Sequence, residues 1–149
     1  ESMLYVHIPY CPKLCYFCTC HMSITSDYSK IERYLEYLYK ELRLVRLLEP
    51  NIKEIHLGGG SPTMLNKDDF RKLVEELSQL VDIKTLDEFA IEIDPRTVDR
   101  DMANFYADMG INRISFGIQD FNIDVQNAVN RSAAGSGVSK NELQEASEA

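Results

Sequence analysis

Cys11, Cys15, Cys18 and Cys20 fall within ten residues, and the rest of the chain contains no cysteine. Thiolates are soft ligands that favour zinc, copper and iron–sulfur centres. A disulfide framework spreads its cysteines so as to close long loops, so this crowded window reads as a metal centre. The spacing is Cys-x3-Cys-x2-Cys, with one further cysteine two positions on. A zinc site usually takes two ligand pairs from separate turns, and no second pair exists here. One short loop would have to wrap a single ion. Three thiolates from one loop can instead meet three corners of a cuboidal iron–sulfur cluster, leaving one iron without a protein ligand. Zinc, and thiols with no metal role, stay open as alternatives.

Other residues with chemical potential lie further on. Gly58-Gly59-Gly60-Ser61-Pro62-Thr63 lacks the Gly-Lys-Ser/Thr ending of a nucleotide P-loop. Three glycines after a strand still let backbone amides approach a ligand with no Cβ in the way; the bland reading is a tight turn. Glu92 sits in Ile-Glu-Ile-Asp-Pro, where a buried carboxylate is costly unless it is paired. Asp94 suits the capping of the turn that follows. By alternation His7 shares a strand face with Tyr5; either can pack or act. Gln119 and Arg131 are polar candidates nearer the chain's end, Arg131 with a fork suited to carboxylates.

Hydrophobic patterning supplies the elements that must hold these residues. Strands are expected at 4–9, 54–57, 89–93 and 114–118. Helices are expected from Ser29 towards Pro50, from Asn66 through Leu80, over 100–109 with Gly110 as the stop, and over 124–129. Ser29-Lys-Ile-Glu32 reads as a capping box. The βα order, repeated four times, predicts a parallel sheet with right-handed crossovers. The cysteine loop, the glycines, Glu92 and Gln119 all fall at or just after strand ends, where barrel-type α/β folds build their sites. The fold class is therefore α/β, a half of a TIM-like barrel of four βα units. Residues 1–131 form that portion; 132–149 read as a small, polar linker and tail. A half-barrel leaves a sheet edge open to association.

The 149 residues carry 16 Lys and Arg against 24 Asp and Glu, a net charge of −8. That excludes a basic nucleic-acid-binding face as the organising feature. No apolar run approaches a membrane span, and clustered thiols suggest a reducing, cytoplasmic setting. An anionic ligand would need local cations, for which Lys13, Arg113 and Arg131 lie near the motifs.

The run Tyr5-Val-His7-Ile-Pro-Tyr-Cys11-Pro-Lys-Leu-Cys15-Tyr-Phe17-Cys18-Thr-Cys20 resembles the radical S-adenosylmethionine (SAM) enzymes. Within them it resembles the oxygen-independent coproporphyrinogen III oxidases, and the likeness extends to Arg131. This resemblance implies that Cys11, Cys15 and Cys18 hold a 4Fe–4S cluster whose open iron is chelated by SAM. It implies that Cys20 is no cluster ligand but is needed for oxidase activity, and that His7 makes a polar contact at the site. Tyr5 would contact the bound SAM, Phe17 would pack its adenine, Gly59 would bind its amino group and Glu92 its ribose. Gly60, Ser61, Gln119 and Arg131 would serve a second SAM; Ser61 stands where Thr is common in that family. The implied reaction is oxidative decarboxylation of two propionates of coproporphyrinogen III to vinyls, giving protoporphyrinogen IX for haem biosynthesis. A 5′-deoxyadenosyl radical would abstract hydrogen, and flavodoxin or ferredoxin would donate the electron. Related haem chaperones share the cluster loop, the glycines and the Glu-Ile-Asp-Pro run, but usually lack a cysteine at the position of Cys20. Haem-degrading methyltransferase relatives and a non-catalytic metal module remain further alternatives.

Overall fold

The computed structural model describes residues 2–19, 21–118 and 122–131. The chain enters as β1 (Ser2–Ile8), where Pro9 interrupts it. A two-residue strand follows, β2 (Tyr10–Cys11), which pairs in parallel with β3 (Ser23–Ile24) across the cysteine loop. The backbone amides of Ser23 and Thr25 donate to the carbonyls of Pro9 and Cys11 at 2.6 and 3.2 Å. The sequence reading took this whole stretch as loop. Strands of two residues are too short to show periodicity.

Helix α1 (Tyr28–Arg46) begins one residue ahead of the expected cap. Asp27, not Ser29, is its N-cap: the Asp27 carboxylate accepts from the Ser29 amide at 3.1 Å and from the Ser29 hydroxyl at 2.6 Å. Ser29 is thus a donor inside the first turn, and the expected capping box is corrected. β4 (Ile52–Gly59) and α2 (Lys67–Leu77) follow. The Asn66 side chain caps α2 as expected, accepting from the Asp69 amide at 2.8 Å. β5 (Glu88–Ile93), α3 (Arg100–Asp108), β6 (Arg113–Phe116) and α4 (Ile123–Ala128) complete the described elements. Gly110 takes φ +99 just past α3, the left-handed backbone that ends helices.

The larger sheet is parallel throughout, in the order β1–β4–β5–β6. Val6, Ile8, Ile55, Leu57, Phe89 and Ile91 turn to one face, against Ile31 and Leu35 of α1, Phe70 and Leu73 of α2, and Phe105 and Tyr106 of α3. The Phe70 ring lies 5.7 Å from that of Phe105 and 4.9 Å from that of Tyr106, tying α2 to α3. Full burial of each such side chain contributes about 1.5–3 kcal/mol, which is why the helices stay docked. The other face is polar. Tyr5 is registered with His56, and Glu92 with Ser115. This is the α/β half-barrel of four βα units, and its carboxyl edge carries the cysteine loop.

Candidate functional site

A cavity of about 400 Å³ opens at that edge. Cys11, Cys15 and Cys18 line it from the loop, Gly59 and Gly60 from the end of β4, Glu92 from β5, and Arg131 from beyond α4. Four separate stretches therefore converge because parallel strands all end on one side.

The glycine segment is shaped by close approach. At Gly59, with φ +110, a Cβ would lie 2.7 Å from His7 Nδ1 and 2.9 Å from the Ile8 carbonyl oxygen. At Gly60 it would meet the Tyr10 carbonyl oxygen at 2.7 Å. No side chain fits at either position, so the backbone faces the cavity bare. The Gly59 amide donates to Glu92 Oε2 at 3.3 Å, while Glu92 Oε1 meets His56 Nε2 at 3.1 Å. The Tyr5 ring stacks on His56 at 5.7 Å, and Tyr5 Oη lies 3.2 Å from His7 Nδ1. His7 Nε2 contacts the His21 carbonyl oxygen at 2.8 Å, which makes that nitrogen the protonated one.

Cationic side chains crowd one thiol. Cys15 is buried; its Sγ lies 3.4 Å from Arg131 Nη1 and 3.8 Å from Arg96 Nη2. Arg96 in turn grips Asp94, with Nε 2.9 and 3.0 Å from the two carboxylate oxygens. Burial opposes ionisation of Asp94, but the hydrogen bonds from Arg96 and the charges of Arg131 and Arg96 outweigh it, holding the carboxyl below its usual range. Hydrogen bonds to Asp94 raise the Arg96 guanidinium, against desolvation and with help from Asp94's charge and Cys15. Arg131 also donates to the Gly117 carbonyl and lies 5.6 Å over the Phe17 ring. Cys18 Sγ lies 3.6 Å from Met22 Sδ.

The structure gathers Cys11, Cys15, Cys18, Phe17, Gly59, Gly60, Glu92 and Arg131 at one cavity. Tyr5 and His7 stand just behind its glycine wall. Ser61 is not brought there: it is 3% exposed, and its hydroxyl pairs with Thr63 Oγ1 at 3.0 Å. Cys20 and Gln119 lie outside the described residues. Arg113 cannot serve as an anion receptor here. It opens β6, at the opposite end of the sheet, and both oxygens of Glu88 hold its Nη1 at 2.8 and 2.9 Å. Sequence reasoning missed Arg96 and His56. The Asp-Pro turn at the end of β5 was a signal for the first; a histidine within a strand gave none for the second.

Among the described residues, no three His, Cys, Asp or Glu side chains converge on one point. The fit to a cofactor rests instead on three thiols around one cavity, beside a glycine cradle that a Cβ would fill. Fold and site together define an α/β half-barrel whose carboxyl edge gathers three thiols and a glycine-walled cavity.

The radical SAM superfamily profile matches residues 5–139, so the chain belongs to the radical SAM superfamily. That family carries a 4Fe–4S cluster and SAM. The chain is 42% identical over 130 residues to the oxygen-independent coproporphyrinogen III oxidase of Salmonella typhimurium, and 41% identical over 130 residues to that of Escherichia coli K12. Each match covers 86% of this chain and 28% of the relative. A solved structure of the Escherichia coli coproporphyrinogen III oxidase, described as a radical SAM enzyme, superposes with a TM-score of 0.77 at 39% identity, over 87% of this chain and 30% of that one. The chain thus spans under a third of the length of these relatives.

Proposed function

We propose that this chain is the cofactor-binding portion of an oxygen-independent coproporphyrinogen III oxidase. The carrying observation is the cavity that joins three loop thiols to the Gly59–Gly60 cradle and Glu92. In this reading Cys11, Cys15 and Cys18 hold the cluster. Gly59 presents bare backbone to the SAM amino group, Glu92 accepts from the ribose hydroxyls, and Phe17 packs the adenine. When bound, cluster and SAM supply the radical chemistry that removes hydrogen from a substrate propionate.

His56 and the Gly59 amide hold the Glu92 carboxylate in place, so it need not reorganise when a ligand arrives. Tyr5 and His7 support the glycine wall from behind. Cys20 and His7 are the proposed catalytic residues, His7 acting from behind the glycine wall. Gly60 and Arg131 line the cavity where a second SAM would bind, with Gln119 completing the set; the buried Ser61 would act only through its partner Thr63. Lys13 is a cavity cation able to receive a propionate; Arg131 is already held by Gly117 and Cys15. Among the described residues no helix is long and apolar enough to cross a membrane. Clustered thiols suit a cytoplasmic location, with flavodoxin or ferredoxin as the donor.

The test is anaerobic reconstitution of the chain with iron and sulfide, then reduction and addition of SAM. About four irons per chain with release of 5′-deoxyadenosine is expected for a site holding one such cluster. Protoporphyrinogen IX formed from added coproporphyrinogen III supports the oxidase, whereas haem capture or methyl transfer in its place counts against it. Stoichiometric zinc with no stable cluster overturns the reading altogether.

A further inference from the structure

We infer that Asp94 and Arg96 act together to tune the reduction potential of the cluster, through a guanidinium held against the Cys15 sulfur. The inference rests on the reading above, in which Cys15 is a cluster ligand. It assigns roles to two residues outside the ligand set.

The arrangement is built rather than incidental. Asp94 directly follows β5 and caps the short turn Pro95–Thr97, accepting from the Arg96 amide at 3.1 Å. The same carboxylate takes the Arg96 side chain through both Nε and Nη2. Thr97 Oγ1 donates to the Asp94 carbonyl at 2.7 Å, fixing the turn. The Asp94 and Arg96 side chains are only 12% and 14% exposed. Two residues apart and mutually bonded, they leave Arg96 little rotamer freedom. Its Nη2 points at Cys15 Sγ from 81 residues away in sequence.

Stability alone does not account for this pair. Taking two charges out of water costs several kcal/mol per ion, and their attraction often does no more than offset that. Both also line the cofactor cavity, Asp94 and Arg96 alongside Cys15. Hydrogen bonds and positive charge at a ligand sulfur favour the more electron-rich state of a cluster, and so raise its potential. Arg131 adds a second guanidinium on the same sulfur, but its own carboxylate contact is looser, with Asp94 Oδ1 at 4.0 Å. Arg131 is held separately, by the Gly117 carbonyl, and lies closer to the sulfur, so Arg96 is one of two donors there, and the one that Asp94 positions.

The test is a potentiometric titration of the reconstituted full chain without SAM, followed by electron paramagnetic resonance, with iron and sulfide measured in parallel. One electron from dithionite is taken up per cluster. Arg96→Met removes the donor at similar volume. Its midpoint is expected to fall so that, at a fixed poise, the reduced-to-oxidised ratio drops about tenfold, roughly 59 mV for a one-electron couple. Asp94→Asn with Arg96→Met removes both charges together, so neither is stranded, and a smaller downward shift, that of the lost hydrogen bond to sulfur, is expected. Arg96→Lys keeps the charge without the fork and should recover part of it. An unchanged midpoint in Arg96→Met or in the double variant, at full iron content, overturns the inference while leaving the cluster reading intact. Failure of the parent chain to take up a cluster overturns both.

Discussion

Asp94 shows how one side chain couples the fold to the site. Its carboxyl titrates below the ordinary value of 3.8, since Arg96 and Arg131 outweigh the burial that opposes its charge. A carboxyl with a depressed folded pKa contributes stability that is present above the unfolded pKa and is lost as pH falls through the folded one. The advantage of the parent chain over Asp94→Asn should therefore be constant from neutral pH down to about 5, then shrink below about 4. Urea midpoints across that range measure it, and a gap that stays constant to about pH 2 would refute the assignment. At this scale the sequence disclosed the residues whose type and spacing are rare: three thiols, the glycine run, and a carboxylate in an apolar strand. It did not disclose Arg96 or His56. Arginine after a turn is usually solvated, and only a contact across 81 positions reveals where this one points. Ser61 shows the converse: the family resemblance implied a ligand contact there, while the 3₁₀ turn Pro62–Met64 carries its hydroxyl inward to Thr63.

Elements were legible where the hydrophobic period was long. α3 and the four strands of the main sheet fall within two residues of expectation; α2 is found where buried positions such as Phe70, Leu73 and Leu77 mark one helix face, but it ends at Leu77, three residues before Leu80. Ends were legible only when one cap candidate stood alone. Asn66 has no rival before α2, whereas Asp27 and Ser29 both suit the start of α1, and the sequence cannot choose between them. Asn66→Ala should lower the stability of the chain by about 1 kcal/mol, the usual cost of a lost N-cap. Chemical denaturation followed by circular dichroism reads this directly. A change within about 0.2 kcal/mol would mean that other contacts, such as the bond from Tyr28 Oη to Asp69 Oδ2 at 2.6 Å, hold that helix start by themselves.

For the whole molecule, the question is what orders a cysteine loop that has little secondary structure. The β2–β3 ribbon ties its ends, but its middle is tied by residues from the far end of the described chain. The Tyr16 amide donates to the Val129 carbonyl at 3.0 Å, and Asn130 Nδ2 donates to the Leu14 carbonyl at 2.6 Å. Asn130 adopts φ +57, a conformation that Asn and Gly tolerate best. The turn after α4 thus clasps the loop from one side while Arg131 reaches Cys15 from within. No local pattern could have shown this, since the partners are 116 residues apart. Asn130→Gly separates the side-chain clasp from the backbone geometry, because it keeps the left-handed turn and deletes only the bond to Leu14. Amide exchange at Tyr16 should then quicken roughly fivefold, the equivalent of one hydrogen bond of about 1 kcal/mol. Core amides of β4 and β5 should not change. Unaltered exchange at Tyr16 would mean that the loop orders itself, and that the turn after α4 merely rests against it.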